Sequence, residues 1–249
     1  MEDQKNKPYI GVTGITCTDD VKMIKKALGS SYGMYGVLVS RNTLKNGKPH
    51  RNRYPNIGSI NKLFEAMPEN ALRAVHYNSE EIHEISKDVK EIMMLTGGLC
   101  NCIQMNIEYP PIDQVKTIKE ENKDLKIIFQ IGRYSLINMK TRDIVKNIEP
   151  YVPYIDYILI DKSQGAGIQM EIIGTVELAE PLSKLKSLTF AGGLDGSNIC
   201  IFIPLIEKFC ASIDAEGKLM NSNDTLDHEK VVKYIRSAKS IRKLYGKRK

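Results

Sequence analysis

The sequence predicts a (β/α)8 barrel, and three observations predict it. Short β-rich runs recur along the whole chain, amphipathic helical patterns separate them, and the runs number eight within 249 residues. Eight strand–helix repeats in a chain of about 250 residues match the size of that fold. A doubly wound open sheet is the alternative, because periodicity alone does not establish closure. Composition shows no break along the chain, so one barrel domain spanning 1–249 is expected.

The elements follow in order. "PYIGVT" (8–13) is the first strand, and "DDVKMIKKAL" after it places Val21, Ile24 and Leu28 on one helical face, with Thr18 as the expected cap. "YGVLVS" (35–40) is the second strand. The stretch behind it, "RNTLKNGKPHRNRYPN" (41–56), reads as one long irregular connection, the kind of place where barrels carry function. "LRAVHY" (72–77) leads into "SEEIHEISKDVKEIMML", whose Ile82, Ile85, Val89 and Ile92 share a face and whose expected cap is Ser79. "CIQMNI" (102–107) and "KIIFQI" (126–131) are the fourth and fifth strands, with Thr141 capping a helix beyond them. "DYILID" (156–161), "SLTFAG" (187–192) and "FCASID" (209–214) complete the eight. The chain closes on "TLDHEKVVKYIRSAKSIRKL", with Val231, Val232, Ile235 and Ile241 at helical spacing.

Composition narrows the classes. At 42% hydrophobic and 27% charged residues the chain is too apolar for disorder. A formal charge of +6 suits an anionic substrate and does not by itself favour nucleic acid. The opening "MEDQKNKP" is charged without an apolar core, and no run is long enough for a bilayer, so a cytoplasmic protein with no membrane partner is expected. The five cysteines have no framework spacing, and the Cys100/Cys102 pair lacks a matching second pair. No nucleotide fingerprint or metal-ligand cluster occurs, so neither a metal nor any other cofactor is expected. A monomer and a homodimer both remain open.

If the barrel closes, the C-terminal ends of its strands face the active site, and alternation sorts their side chains. Thr13, Gln104, Asn106, Asp161 and Asp214 then point inward, as does His76, while Ile10, Val12, Ile158 and Ile160 face the helices. Thr13, Ser40, His76, Asn106, Gln130, Asp161, Gly192 and Asp214 should therefore ring one rim. The segment "FAGGLDGSNI" (190–199) reads as a strand ending in a glycine turn before a capped helix. Glycines at such a turn let backbone N–H groups approach an anion closely, and the helix dipole favours it.

Four motifs in register carry a resemblance. "GVTGITCTDDV", "SQGAGIQM", "FAGGLDGSNI" and "ASIDAEGKL" followed by "DHEKVVKYI" are similar to the phosphoribosylanthranilate isomerase family, the tryptophan-pathway barrel of the ribulose-phosphate-binding type. The likeness runs in order from Gly11 to Ile235. It implies a phosphorylated small-molecule substrate bound at Gly192 and Gly193 and at Ala215, Glu216 and Gly217. It implies Asp161 as the general acid of an aldose–ketose (Amadori) isomerisation, Arg53 against an aromatic carboxylate, and Gly165–Ala166–Gly167 as the glycine segment after the sixth strand. Gln104, Asn106 and His76 are the remaining candidate substrate contacts.

The chain also departs from that family. Its relatives carry a cysteine base in a "CG(I/L)T" motif where this chain has "TGIT", with Thr13 in the cysteine's place. A hydroxyl is far too weakly acidic to serve as a resting base, whereas a thiolate is accessible near neutral pH. Asp214 and Glu216 stand where relatives offer serines, and carboxylates repel a dianion. Asp214 and His76 are the candidates for a relocated base, and Thr13→Cys would restore a titratable group. Three readings stay open: an isomerase of this type with an altered substrate, a barrel of the same descent with a different reaction such as a lyase using Lys162, and a non-enzymatic binding protein. In the last, the basic run Lys45, Lys48, His50, Arg51, Arg53 and the tail "RKLYGKRK" would meet RNA, although solvated surface is the simpler reading of both.

Overall fold

In the computed structural model, residues 6–49, 51–161 and 172–245 are described, the side chains of 172–173 and 242–245 excepted. Eight parallel strands close into a barrel in sequence order. They are β1 (Ile10–Thr13), β2 (Gly33–Ser40), β3 (Leu72–Asn78), β4 (Cys102–Met105), β5 (Lys126–Ile131), β6 (Tyr157–Asp161), β7 (Ser187–Ala191) and β8 (Ser212–Ala215). Closure is direct, with Gly11 of β1 paired to Asp214 of β8. A closed sheet leaves no unpaired edge, which removes the open-sheet alternative.

Ten α-helices accompany the strands among the described residues. The first five are α1 (Thr18–Leu28), α2 (Arg41–Asn46), α3 (Ile60–Ala66), α4 (Ile85–Leu95) and α5 (Ile112–Glu121). The rest are α6 (Arg133–Asn138), α7 (Thr141–Ile148), α8 (Ile172–Leu182), α9 (Ile203–Phe209) and α10 (His228–Tyr245). No helix among the described residues is long and apolar enough to cross a membrane.

Strand alternation produces two separate cores. Ile10, Val12, Ile158, Ile160 and Ile213 point outward into the layer between barrel and helices, together with Val21, Ile24, Val89 and Ile235. Tyr9, Met34, Leu72, Ala74, Cys102, Ile128, Tyr157 and Leu159 fill the barrel itself. Tyr9 and Tyr157 meet edge to face at 5.3 Å, and Thr189 donates a hydrogen bond to the Tyr9 hydroxyl at 3.0 Å. These rings plug the N-terminal end of the barrel, so only the opposite end is left for a ligand.

Three local expectations shift. The helix expected to start at Ser79 starts at Ile85, because Arg41 collects Glu81 (3.1 Å), Glu84 and Asp88 (2.5 Å) and holds the preceding segment outside the helix. Ser79 instead accepts the Glu81 N–H in a tight turn. Caps at Cys17 and Lys140 lie one residue before the expected Thr18 and Thr141, and the Asp20 carboxylate takes the Thr16 and Cys17 N–H groups at 3.0 and 3.1 Å. The stretch 41–56 is not irregular throughout. It begins with α2, capped by Ser40, which accepts the Thr43 N–H at 3.1 Å, and ended by Gly47 in a left-handed conformation.

Candidate functional site

A pocket of about 540 Å³ opens at the C-terminal end of the barrel. Its wall includes Asn78 after β2's neighbour β3, Gln104 and Asn106 of β4, Gln130 of β5, Asp161 of β6, Gly192 and Gly193 after β7, and Asp214, Glu216 and Gly217 at β8. Arg51, Arg53 and Tyr54 close it from the connection after β2. Leu38, Leu159 and Ala191 supply the apolar floor.

Two residues expected on the rim lie beneath it. Thr13 has no exposed surface and His76 almost none, and neither lines the pocket. The Thr13 hydroxyl donates to the Asp214 carboxylate, 3.2 Å from each oxygen, and lies 3.2 Å from Nε2 of His76. Space for this group comes from two inward-facing glycines. A Cβ at Gly11 would lie 2.6 Å from an Asp214 oxygen, and one at Gly36 would lie 2.4 Å from the Thr13 hydroxyl. A packed interior does not tolerate such overlaps, so the glycines and the polar group come as a set. Ser40 also leaves the rim, drawn off by its capping role.

Burial sets the protonation of this group. It depresses the His76 pKa to about 3, so the imidazole is neutral at physiological pH. It raises the Asp214 carboxyl well above its usual range, and the negative Glu216 adds to the effect while the Thr13 hydrogen bond opposes it. Glu216 is raised as well, again mainly by burial, with Arg53 pulling the other way. A carboxyl held up in this manner can give and take a proton near neutrality, which is the property a general acid–base needs.

Arg53 lies on the pocket wall, but its guanidinium is already engaged. It donates to Glu216 Oε1 at 2.7 Å and, through Nε, to Asp224 at 2.8 Å. Asn52 donates to the Asn223 carbonyl at 2.9 Å, so the connection after β2 is stitched to the one after β8. A ligand carboxylate would have to displace these partners from Arg53. Lys45 is likewise paired, with Glu81 at 3.3 Å, which takes two cations out of the basic run considered for RNA.

The glycine turn after β7 has the geometry its sequence requires. Gly192 and Gly193 have φ of 107° and 64°, a region that residues with a Cβ rarely enter. Asp195 then accepts the N–H groups of Ser197 (2.6 Å) and Asn198 (3.1 Å), so the chain's own carboxylate caps this helical start. Ala215 directs its side chain into the outer core, leaving only its backbone toward a ligand. Gly217 begins a 3-10 turn at the pocket wall. Gly165–Ala166–Gly167, Lys162 and His50 lie outside the described residues.

Sequence reasoning left out four lining residues as ligand contacts: Asn78, Gln130, Arg51 and Tyr54. Alternation through Gln104, Ile128 and Gln130 places the amides, and Gln130 was expected on the rim for that reason. Nothing local marks Arg51 as the residue of the basic run that faces the pocket beside Arg53.

No family model and no curated protein matches the chain. Solved structures do. The chain is similar to phosphoribosyl anthranilate isomerase from Thermus thermophilus, with 15% identity, a TM-score of 0.66, and coverage of 94% of this chain and 100% of that one. The isomerase from Thermotoga maritima gives 16% identity and a TM-score of 0.65 over 94% of this chain and 99% of that one. The catalytic domain of a chitinase from Pyrococcus furiosus gives 9% and 0.60, over 97% and 98%. At such identities the likeness defines a class by fold alone: a (β/α)8 barrel, shared by enzymes of unrelated chemistry.

Proposed function

We propose that this chain is a phosphate-binding (β/α)8 barrel that takes a small phosphorylated molecule at its mouth and acts on it by proton transfer, in a reaction other than the isomerisation of phosphoribosylanthranilate. The observation that carries this reading is the burial of Thr13. At the position of the isomerase base, this chain has a hydroxyl that donates to Asp214 below the pocket wall. A cysteine placed there would face the same carboxyl group, which disfavours a thiolate. Proton transfer then falls to Asp214 and Asp161, both on the wall. The phosphate belongs at Gly192 and Gly193, where the backbone is bare enough for close approach. Two features reduce repulsion of a dianion there: burial favours the neutral form of Asp214, and Arg53 offsets Glu216. Arg51, on the same wall, adds positive charge.

The reading is tested by the fluorescence assay for phosphoribosylanthranilate turnover. The wild-type protein and Thr13→Cys should both be inactive. Turnover by the wild type, or a large gain in the cysteine variant, would return the chain to the isomerase reaction.

A further inference from the structure

The wall of the mouth formed by β3, β4 and β5 carries four amides, Asn78, Gln104, Asn106 and Gln130, and no charged side chain among the lining residues on those strands. Gln104 is 3% exposed, and its Oε1 has no hydrogen-bond partner among the described residues. Its Nε2 is used within the wall, donating to Asn106 Oδ1 at 2.9 Å and lying 3.4 Å from Gln130 Oε1. A buried carbonyl left without a partner costs about 1–3 kcal/mol, and the open side of Gln104 is the pocket. We infer that this side of the mouth is a subsite for the hydroxyl groups of a neutral polyol chain, the part of the ligand that does not carry the phosphate. The inference rests on the phosphate-binding reading above and names its substrate class.

The chemistry selects hydroxyls over the other polar groups. A carboxylate offers only acceptors and would meet the Gln104 carbonyl unfavourably, with no cation on these strands to compensate. An ammonium offers only donors and would meet the amide nitrogens of the same wall. A hydroxyl gives and accepts at once, so it satisfies Gln104 whichever way the amide is turned. Leu38 and Leu159 beside the amides give the carbon chain an apolar surface. An aromatic acid finds little here that suits it, in keeping with a departure from phosphoribosylanthranilate.

Two phosphates of equal chain length separate the possibilities: ribitol 5-phosphate and n-pentyl phosphate, titrated by calorimetry into the full chain, with free ribitol and inorganic phosphate as controls. The wild type should bind ribitol 5-phosphate at least about tenfold more tightly than n-pentyl phosphate, the worth of one or two good hydrogen bonds. Gln104→Met should cut that ratio below about threefold while leaving inorganic phosphate binding unchanged. Asn106→Ala, on a less buried side chain, serves as the second variant should Gln104→Met fold poorly. Equal affinity for the two phosphates, or a ratio that survives both substitutions, overturns the polyol subsite. If inorganic phosphate and n-pentyl phosphate fail to bind but free ribitol binds and is lost in Gln104→Met, the subsite stands and the phosphate reading falls.

Discussion

On the β3 to β5 side the mouth is walled by Asn78, Gln104, Asn106 and Gln130, none of them ionisable, whereas β6 and β8 bring Asp161, Asp214 and Glu216 to the opposite side with Arg53 against the last. The amide side leaves an acceptor unsatisfied, and the carboxyl side spends most of its hydrogen-bonding capacity internally. The difference separates two tasks. Groups that bind a ligand must keep capacity in reserve, and groups that move protons must have their pKa values set by fixed neighbours. Gly11 and Gly36 show how much the barrel gives up for the second task, since both sacrifice packing to admit the Asp214, Thr13 and His76 group.

The largest expected effect tests the polar group beneath the amide side. His76 has its folded-state pKa lowered to about 3, so the unfolded chain takes up a proton that the folded chain refuses. Stability from this residue is present above the unfolded value, about 6.5, and is lost as pH falls toward the folded one, by roughly 3–4 kcal/mol in total. Urea denaturation across that window should show the loss, and His76→Gln should flatten it. An unchanged slope in the variant would place the acid sensitivity elsewhere.

Next in size is Arg53→Met, which strands Glu216 and Asp224 on the carboxyl side. Removing one partner of a buried pair costs about 3–5 kcal/mol, and the partial exposure of all three groups reduces this to roughly 2–3. A denaturation midpoint shifted by less than about 1 kcal/mol would mean that the stitch between the two connections is solvated.

Asp214→Asn should act in the opposite direction. A raised carboxyl pKa means that stability is greatest below the unfolded value, about 3.9, and falls as pH rises through the folded one. The amide cannot ionise, so the variant should gain about 1–2 kcal/mol at pH 7 while losing catalysis, the usual exchange at a functional residue. Loss of stability at pH 7 would show that the charged form is the one the fold prefers.

Gln104→Met is expected to change least, staying within about 1 kcal/mol of wild type, because it removes an unsatisfied acceptor together with one hydrogen bond. A cost well beyond that in thermal unfolding would make Gln104 a structural member of the wall.

The fold was legible because alternation and spacing are local properties. Ile10, Val12, Ile158 and Ile160 announce an outward face, and the eight repeats announce closure. Depth was not legible. Alternation says that Thr13, His76 and Asp214 point inward, but only strand stagger decides that Asp214 reaches the pocket while the other two stop beneath it. Arg53 was placed on the wall correctly, yet its partners Glu216 and Asp224 lie far along the chain, and no window around "RNRY" reveals them. Helix starts were displaced for the same reason, as with Arg41 and the acids of 81–88. The glycine turn was the easiest feature to read, since its φ values demand the residue that is there.

The central claim is that Gly192 and Gly193 hold the phosphate of a small ligand. Calorimetric titration of inorganic phosphate into the wild type and into Gly193→Val tests it most directly. The account predicts saturable binding by the wild type and none by the variant, with circular dichroism showing the barrel intact in both. Equal binding by the two proteins, or no binding by the wild type at millimolar phosphate, would contradict it.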